Sequence, residues 1–507
     1  MVMSFGRLLI IIPCILMVGS ILSGCTTAND INESVLDRAA SATVKEWEPR
    51  EISLYYPGAP QRDVSLVEEE MNKTLKERIN ATIKINAVDW AVWTQKINLM
   101  SSSNEPYDLV FTASWDNLSG NVAKGAFVDL LPLMNQYGQD IMSGMNPLFI
   151  TGNTIDGKLF ALPTQKEFAS QQGMYLNKEL VDKHQIDITS INTLADLEPI
   201  LQKIKDNEPD VVPFWANRNW VNSLPYEKLG NDEVPGALVK NGDSKVVNPF
   251  EQANMKDFFK LMFSWNQKGF FQKDPATNTD AANHLKEGTV FATWTSLKPG
   301  ADGEKNVGLA HKVVQVVLEK TPYTTTNDLN ISMLAISRTS QDPERAMMLL
   351  NLLHSDAKLL NLLVNGVEGK HYVKVKDKSN IIKLPAGAKA GETGYAPANG
   401  WMMGNQFLNY LWEHEDENKW KIIKEFNQAA VPTKALGFVY DSTNTRNEEA
   451  AIARIYDEYM DGLSTGVYEP NQKLKEFNHK LRKAGLSKVI AEMQKQLDDF
   501  LNTNRPS

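Results

Sequence analysis

Past Glu48 the apolar positions switch repeatedly between a period near two and a period near 3.6, the spacings of strands and helices. Ile52 to Tyr56 reads as a strand stopped by Pro57-Gly58-Ala59-Pro60, and Val64 to Ile79 reads as a charged amphipathic helix. Ala81 to Val88 is a second strand and Ala91 to Met100 a second helix. Asp108-Leu109-Val110-Phe111 is the short apolar run expected of a strand buried on both faces. This β-α-β-α-β order predicts a mostly parallel sheet flanked by helices, with ligands beyond the carboxyl ends of the strands. The loops Tyr56 to Arg62 and Thr112 to Leu118 therefore come first as candidates.

Further along, Gly157 to Pro163 leads into Met174-Tyr175-Leu176-Asn177, and a helical pattern resumes at Lys178, which reads as passage into a second lobe. Asn254 to Gln267 predicts an apolar-faced helix closed by Gly269. Thr289 to Thr293 reads as a strand returning toward the first lobe. Asp342-Pro343 opens one long leucine-rich helix through Leu352 and Leu359 to Val364, with Gly366 at its end. Leu486, Val489, Ile490, Met493, Leu497, Phe500 and Leu501 line one face of a last helix. Without sustained heptads, that stripe is expected to pack on its own domain.

The N-terminal pattern differs from the rest. Arg7, the apolar run Leu8 to Val18, and Leu22-Ser23-Gly24-Cys25 have the order of a secretory signal, too short in its apolar part to span a bilayer. The Leu-Ser-Gly-Cys ending resembles the lipobox of bacterial lipoproteins, which implies a 1–24 signal peptide, a lipid on Cys25 and a polar tether over 25–48. Cys14 is the only other cysteine, so the mature body is expected to hold no disulfide. About 460 residues then remain, more than one core organises, and at least two lobes are expected. The composition, 42% hydrophobic and 23% charged, is that of a soluble globular body. A net charge of -9 leaves no basic stripe for nucleic acid.

Local catalytic motifs are missing from the sequence: no Gly-x-Ser-x-Gly, Walker loop or dinucleotide fingerprint occurs. The seven histidines have no pair at ligand spacing, and no metal or cofactor is expected. The loop Lys205-Asp206-Asn207-Glu208-Pro209-Asp210 lacks the glycine and alternation of a calcium loop. His414-Glu415-Asp416-Glu417 reads as a solvated charge run. Two distant carboxylates acting on a glycosidic bond would leave no local signature, so a polysaccharide-degrading enzyme stays open as an alternative.

Aromatic residues placed in loops stand out instead: Tyr55, Tyr56, Trp115, Trp215, Trp220, Trp294 and Trp401, whereas Trp90 and Trp93 read as core. Flat rings stack on the C–H faces of sugars, and sugar hydroxyls need planar polar partners. Trp115 adjoins Asp116 and Asn117 just past a strand end, Lys166 and Glu167 follow Pro163, and Trp401 lies among Asn399, Gly400, Gly404, Asn405 and Gln406.

The chain resembles family 1 of the extracellular solute-binding proteins, the receptors of carbohydrate ABC importers. It resembles in particular the LplA-like or LipO-like lipoprotein branch, whose C-terminal part is the DUF3502 domain. The stretches that carry this resemblance are Ile331 to Ser337 with the Pro343 to Val364 helix, Gly394 to Phe407, and Asn427-Gln428 with Lys434 to Phe438. The resemblance implies a periplasmic-binding-protein-like α/β fold. Two α/β lobes are joined by crossover hinge segments over 49–370, the second entered near 165, and a helix-rich region at 371–507 completes them. It further implies a non-catalytic, monomeric receptor, lipid-anchored at the outer face of a Gram-positive-type membrane. Such a receptor captures a sugar or oligosaccharide and delivers it to an ABC permease. Tyr56, Trp115, Trp294 and Trp401 are the expected stacking platforms, and Asp116, Lys166, Glu167, Asn399 and Asn405 the expected polar contacts. A peptide receptor, or a receptor feeding a sensor kinase, are the remaining alternatives.

Overall fold

The computed structural model describes residues 47–155, 157–218, 225–278, 281–306, 309–389 and 391–503. Cys25, the 1–24 signal, Trp220 and nearly all of the 25–48 tether lie outside the described residues. The chain divides into Met1–Glu48 and a body, Pro49–Ser507. The strands of the body's two main sheets are β1 (Arg50–Pro57), β2 (Ala81–Val88), β3 (Leu109–Thr112), β4 (Leu162–Pro163), β5 (Gln171–Asn177), β6 (Val212–Trp215), β7 (Val290–Leu297), β8 (Val313–Val317) and β9 (Met333–Ile336). Its helices include α1 (Val64–Ile79), α2 (Trp93–Ser103), α3 (Ala253–Gln267), α4 (Pro343–Ser355), α5 (Ala357–Asn365), α6 (Lys419–Ala429), α7 (Arg446–Ser464), α8 (Pro470–Lys483) and α9 (Leu486–Thr503).

The first lobe is built on the sheet order β2-β1-β3-β9-β4. β1 runs parallel to both β2 and β3, while β9 enters antiparallel to β3. Ile52, Leu54 and Tyr56 alternate inward along β1, and all four residues of β3 are buried, as a strand covered on both faces requires. α1 contributes Val67, Met71, Leu75 and Ile79, four residues apart on one face. This core also takes in α4 and α5. The single helix expected from Pro343 to Val364 is in fact this pair, bent by 92° at Asp356. The Asp356 side chain accepts a hydrogen bond from the Leu359 N–H and caps the second helix, so the leucine periodicity runs through a break made by one capping residue.

The second lobe holds the sheet order β8-β5-β7-β6. The segment expected to return toward the first lobe, Thr289 to Thr293, instead falls, from Val290 on, in β7, inside this sheet between β5 and β6. Phe291 and Ala292 are fully buried there. A second core gathers α3, α7, α8 and α9, including Leu486, Val489, Met493 and Leu497 of the last helix. The apolar stripe of α9 packs on its own lobe.

Three segments cross between the lobes side by side. Ser170 and Tyr323 exchange backbone hydrogen bonds at 3.1 and 3.2 Å. Tyr323–Thr324 then pairs in parallel with Val431–Pro432. Residues before the first crossing and between the second and third contribute to the first-lobe core; after the third, Leu436 still packs on the first-lobe core, and residues from Phe438 onward belong to the second.

Candidate functional site

The first-lobe strands that run in the direction of β1 end on the same edge, and the segments that follow β3 and β4 there share cavities with second-lobe residues. Two cavities lie there. One, about 440 Å³, is lined by Lys166, Glu167, Ser170, Lys298, Glu304 and Ile331 among others. The other, about 230 Å³, is lined by Ser114, Leu118, Asn153, Glu227, Asn330 and Tyr440 among others. The short segment Asn330-Ile331 contributes one residue to each.

Trp115 is tied to both, following Ser114 of the smaller cavity and bonding Ile331 of the larger. It is 51% exposed, and its indole N–H donates to the Ile331 carbonyl at 2.9 Å, which fixes the ring on the rim. Trp90, at the end of β2, is 50% exposed, with its ring centroid 6.1 Å from that of Trp115 and the planes only 30° apart. The reading of Trp90 as core is corrected: it lies in the turn between β2 and α2, where the helical spacing that made it look internal has not begun. Trp93, one turn on, is buried as expected and donates to Asp116 at 2.8 Å. Phe111 lies beneath, 5.7 Å from Trp115 and 5.6 Å from Trp401, and couples the half-buried Trp401 to the same aromatic layer. Burial raises the carboxyl of Asp116 above its ordinary range, while Trp93 opposes the shift.

Lys166 and Glu167 belong to a chain of alternating charges. Glu167 pairs with Lys166 at 3.0 Å and Lys298 at 3.2 Å, Lys298 with Glu304 at 3.0 Å, and Lys419 with Glu304 at 2.7 Å and Glu415 at 2.6 Å. All six side chains are at most 35% exposed. Burial alone would raise the Glu167 carboxyl, but the two lysines hold it down to about 2. The chain joins the first crossing segment, the second lobe at Lys298 and Glu304, and α6. Glu415, read from sequence as solvated, is therefore a part-buried member of an ion network. Its partner Lys419 sits four residues on, and a local charge count does not reveal its distant partner Glu304.

Other expected site residues are placed elsewhere. Tyr56 is 1% exposed, because it follows Ile52 and Leu54 on the inward face of a central strand; burial pushes its hydroxyl up to about 12. Asn399, 0% exposed, lies beside it in the first lobe rather than on the cleft surface. Asn405 is spent on backbone: its Nδ2 donates to the His354 carbonyl and its Oδ1 accepts from the Phe407 N–H. Trp294 is half-buried in β7 and packs on the second-lobe core, and Trp215, closing β6, is fully buried. Among the described residues no group of three or more His, Cys, Asp or Glu is arranged to hold a metal ion.

Residues 70–364 match the family described as bacterial extracellular solute-binding protein, and residues 434–502 match the domain of unknown function DUF3502. The DUF3502 match covers α7, α8 and α9 of the second lobe. A Streptococcus pneumoniae protein named carbohydrate ABC transporter substrate-binding protein is 31% identical over 457 residues, covering 90% of this chain and 91% of that protein. The crystal structure of the N-glycan transport solute binding protein NgtS from the same organism superposes with a TM-score of 0.82 at 28% identity, covering 90% of this chain and all of that one. Its complex with Man5GlcNAc gives 0.71 at 30% identity over 91% of this chain and all of that one. The alginate-binding protein AlgQ2, 16% identical with a TM-score of 0.56, covers 89% of this chain and 98% of that one and shares the fold.

Proposed function

The chain belongs to the bacterial extracellular solute-binding proteins, and from that premise we propose that it captures an oligosaccharide between its lobes for an ABC importer. It is a binding protein and not an enzyme, as its relatives are. The observation that carries the oligosaccharide reading is the pair Trp90 and Trp115. These are two half-exposed indoles, close to coplanar, on the carboxyl edge of the first-lobe sheet. Such a surface suits the flat C–H faces of successive sugar rings and has no use in a monomer's own core. Trp401, Asp116 and the Lys166–Glu167 pair extend it toward the larger cavity. NgtS, similar along nearly the whole chain, has been crystallised with Man1GlcNAc and with Man5GlcNAc, which supports glycans as the first ligands to try.

In this reading, closure of the lobes is a population shift driven by contacts that a ligand makes to both at once. The three adjacent crossing segments supply a hinge. Acylation of Cys25 would hold the receptor at the outer face of the membrane beside its permease, with 25–48 as the tether, and the receptor works as a monomer. Titrating the protein with Man5GlcNAc, Man1GlcNAc and a set of short peptides, read by tryptophan fluorescence, tests the proposal. A glycan response that Trp115→Ala weakens supports it; a response to peptides alone replaces it with a peptide receptor.

A further inference from the structure

The smaller cavity contains three buried acceptors without partners, all from residues outside the aromatic platform. Asn153 is 8% exposed, Asn330 6% and Glu227 5%. Asn153 Oδ1, Asn330 Oδ1 and Glu227 Oε2 have no hydrogen-bond partner, and all three residues line the same space. The orientation of Asn153 is fixed: its Nδ2 donates to the carbonyls of Phe149 at 2.9 Å and Leu329 at 3.3 Å, so only its oxygen is left for the cavity. Asn153 and Asn330 belong to the first lobe. Glu227 belongs to the second, on the strand Tyr226–Lys228. Buried acceptors are ordinarily satisfied, and three left open in one cavity between two lobes define a site for a donor-rich guest.

We propose that this cavity is a second binding subsite that encloses one terminal sugar ring, whose hydroxyls donate to Asn153, Asn330 and Glu227. The proposal rests on the reading that the protein binds oligosaccharides, and adds where one end of the chain goes. At ~30 Å³ per water, about 230 Å³ holds on the order of seven waters, close to the bulk of one pyranose ring. Ser114 lines the cavity wall and is the chain neighbour of Trp115, so a glycan lying on the platform reaches the cavity directly. Hydroxyl donors suit these acceptors better than a metal cation does. Two of the three are neutral amide oxygens, and burial pushes the Glu227 carboxyl up to about 7, so the cavity holds less than one full negative charge at neutral pH; a sugar hydroxyl donates to the ionised carboxylate and accepts from the protonated one, which a cation cannot do. Because the acceptors come from both lobes, a ring held by all three is bound only when the lobes are together.

The test uses the full chain, with Man5GlcNAc, free mannose and free N-acetylglucosamine as probes, titrated into wild type, Asn330→Leu and Asn330→Asp. Leucine keeps the bulk and removes the acceptor; aspartate restores an acceptor oxygen. Man5GlcNAc affinity is expected to fall about tenfold in Asn330→Leu and to recover in Asn330→Asp. A free monosaccharide that binds wild type but not Asn330→Leu would identify which end ring enters. Equal Man5GlcNAc affinity in all three proteins overturns the subsite while leaving the oligosaccharide reading intact. No binding of any sugar by wild type overturns that reading itself. If Asn330→Leu fails to fold, monodeoxy analogues of Man1GlcNAc on wild type decide. One deoxygenation on an end ring costing about tenfold supports the subsite, and uniform affinity across the analogues overturns it.

Discussion

Replacing Glu167 by glutamine keeps the shape of the side chain and removes its charge from between Lys166 at 3.0 Å and Lys298 at 3.2 Å. In the folded protein this carboxyl titrates at about 2 against an ordinary 4.5, because two lysines outweigh the cost of its burial. At roughly 1.4 kcal/mol per pH unit, that gap is worth about 3 kcal/mol of stability. Since the folded value is depressed, the contribution is complete above about pH 4.5 and is lost as the pH falls toward about 2. Glutamine does not titrate, so the wild type should exceed Glu167→Gln by about 3 kcal/mol at pH 7 and by on the order of 1 kcal/mol at pH 3. Urea unfolding of both proteins at the two pH values, followed by tryptophan fluorescence and far-UV circular dichroism, measures the difference. A gap below about 1 kcal/mol at pH 7, or one that is the same at pH 3, refutes the argument that the two lysines govern this carboxylate.

Lys419 links Glu304 of the second lobe to Glu415, so Lys419→Ala is expected to loosen the contact between the lobes. Small-angle scattering should then give a larger radius of gyration for the ligand-free variant, and an unchanged radius speaks against an ionic latch. Gly404 has φ +51, and a β-carbon there would meet the Leu353 carbonyl oxygen at 2.2 Å. Gly404→Ala should cost about 1–3 kcal/mol in unfolding experiments; a variant as stable as wild type contradicts the fit of this loop against α4. Trp115→Ala should weaken glycan binding about tenfold with little change in melting temperature, since the ring is half exposed; a large fall in melting temperature would instead make it structural.

The first lobe was legible because its elements are long and its periods clear: the inward alternation of β1 and the four-residue spacing of α1 each follow from sequence. What escaped has local physical causes. Asp356 interrupts a leucine pattern that reads as continuous, and a cap is invisible to periodicity. β7 begins with a short buried run, Val290 to Ala292, whose partners in β5 and β6 come from far away in sequence, so its lobe could not be read from it. In the site, Trp115 and Asp116 stood out because a polar loop follows a buried strand. Tyr56 carried the same mark, but strand parity turns it inward, a test the Ile52 and Leu54 spacing already offered. Trp90 was missed because it precedes α2 by a few residues, where helical spacing has no meaning. The unpartnered acceptors Asn153, Glu227 and Asn330 come from three separate stretches of chain, and only the folded cavity brings them together.

The central claim, that an oligosaccharide is held between the lobes on the Trp90 and Trp115 surface, is most directly tested by calorimetric titration of wild type and the Trp90→Ala/Trp115→Ala double variant with Man5GlcNAc. Saturable one-to-one binding by the wild type, weakened a hundredfold or so in a variant that still unfolds cooperatively, is the expected result. Wild-type affinity retained in the double variant would contradict the account.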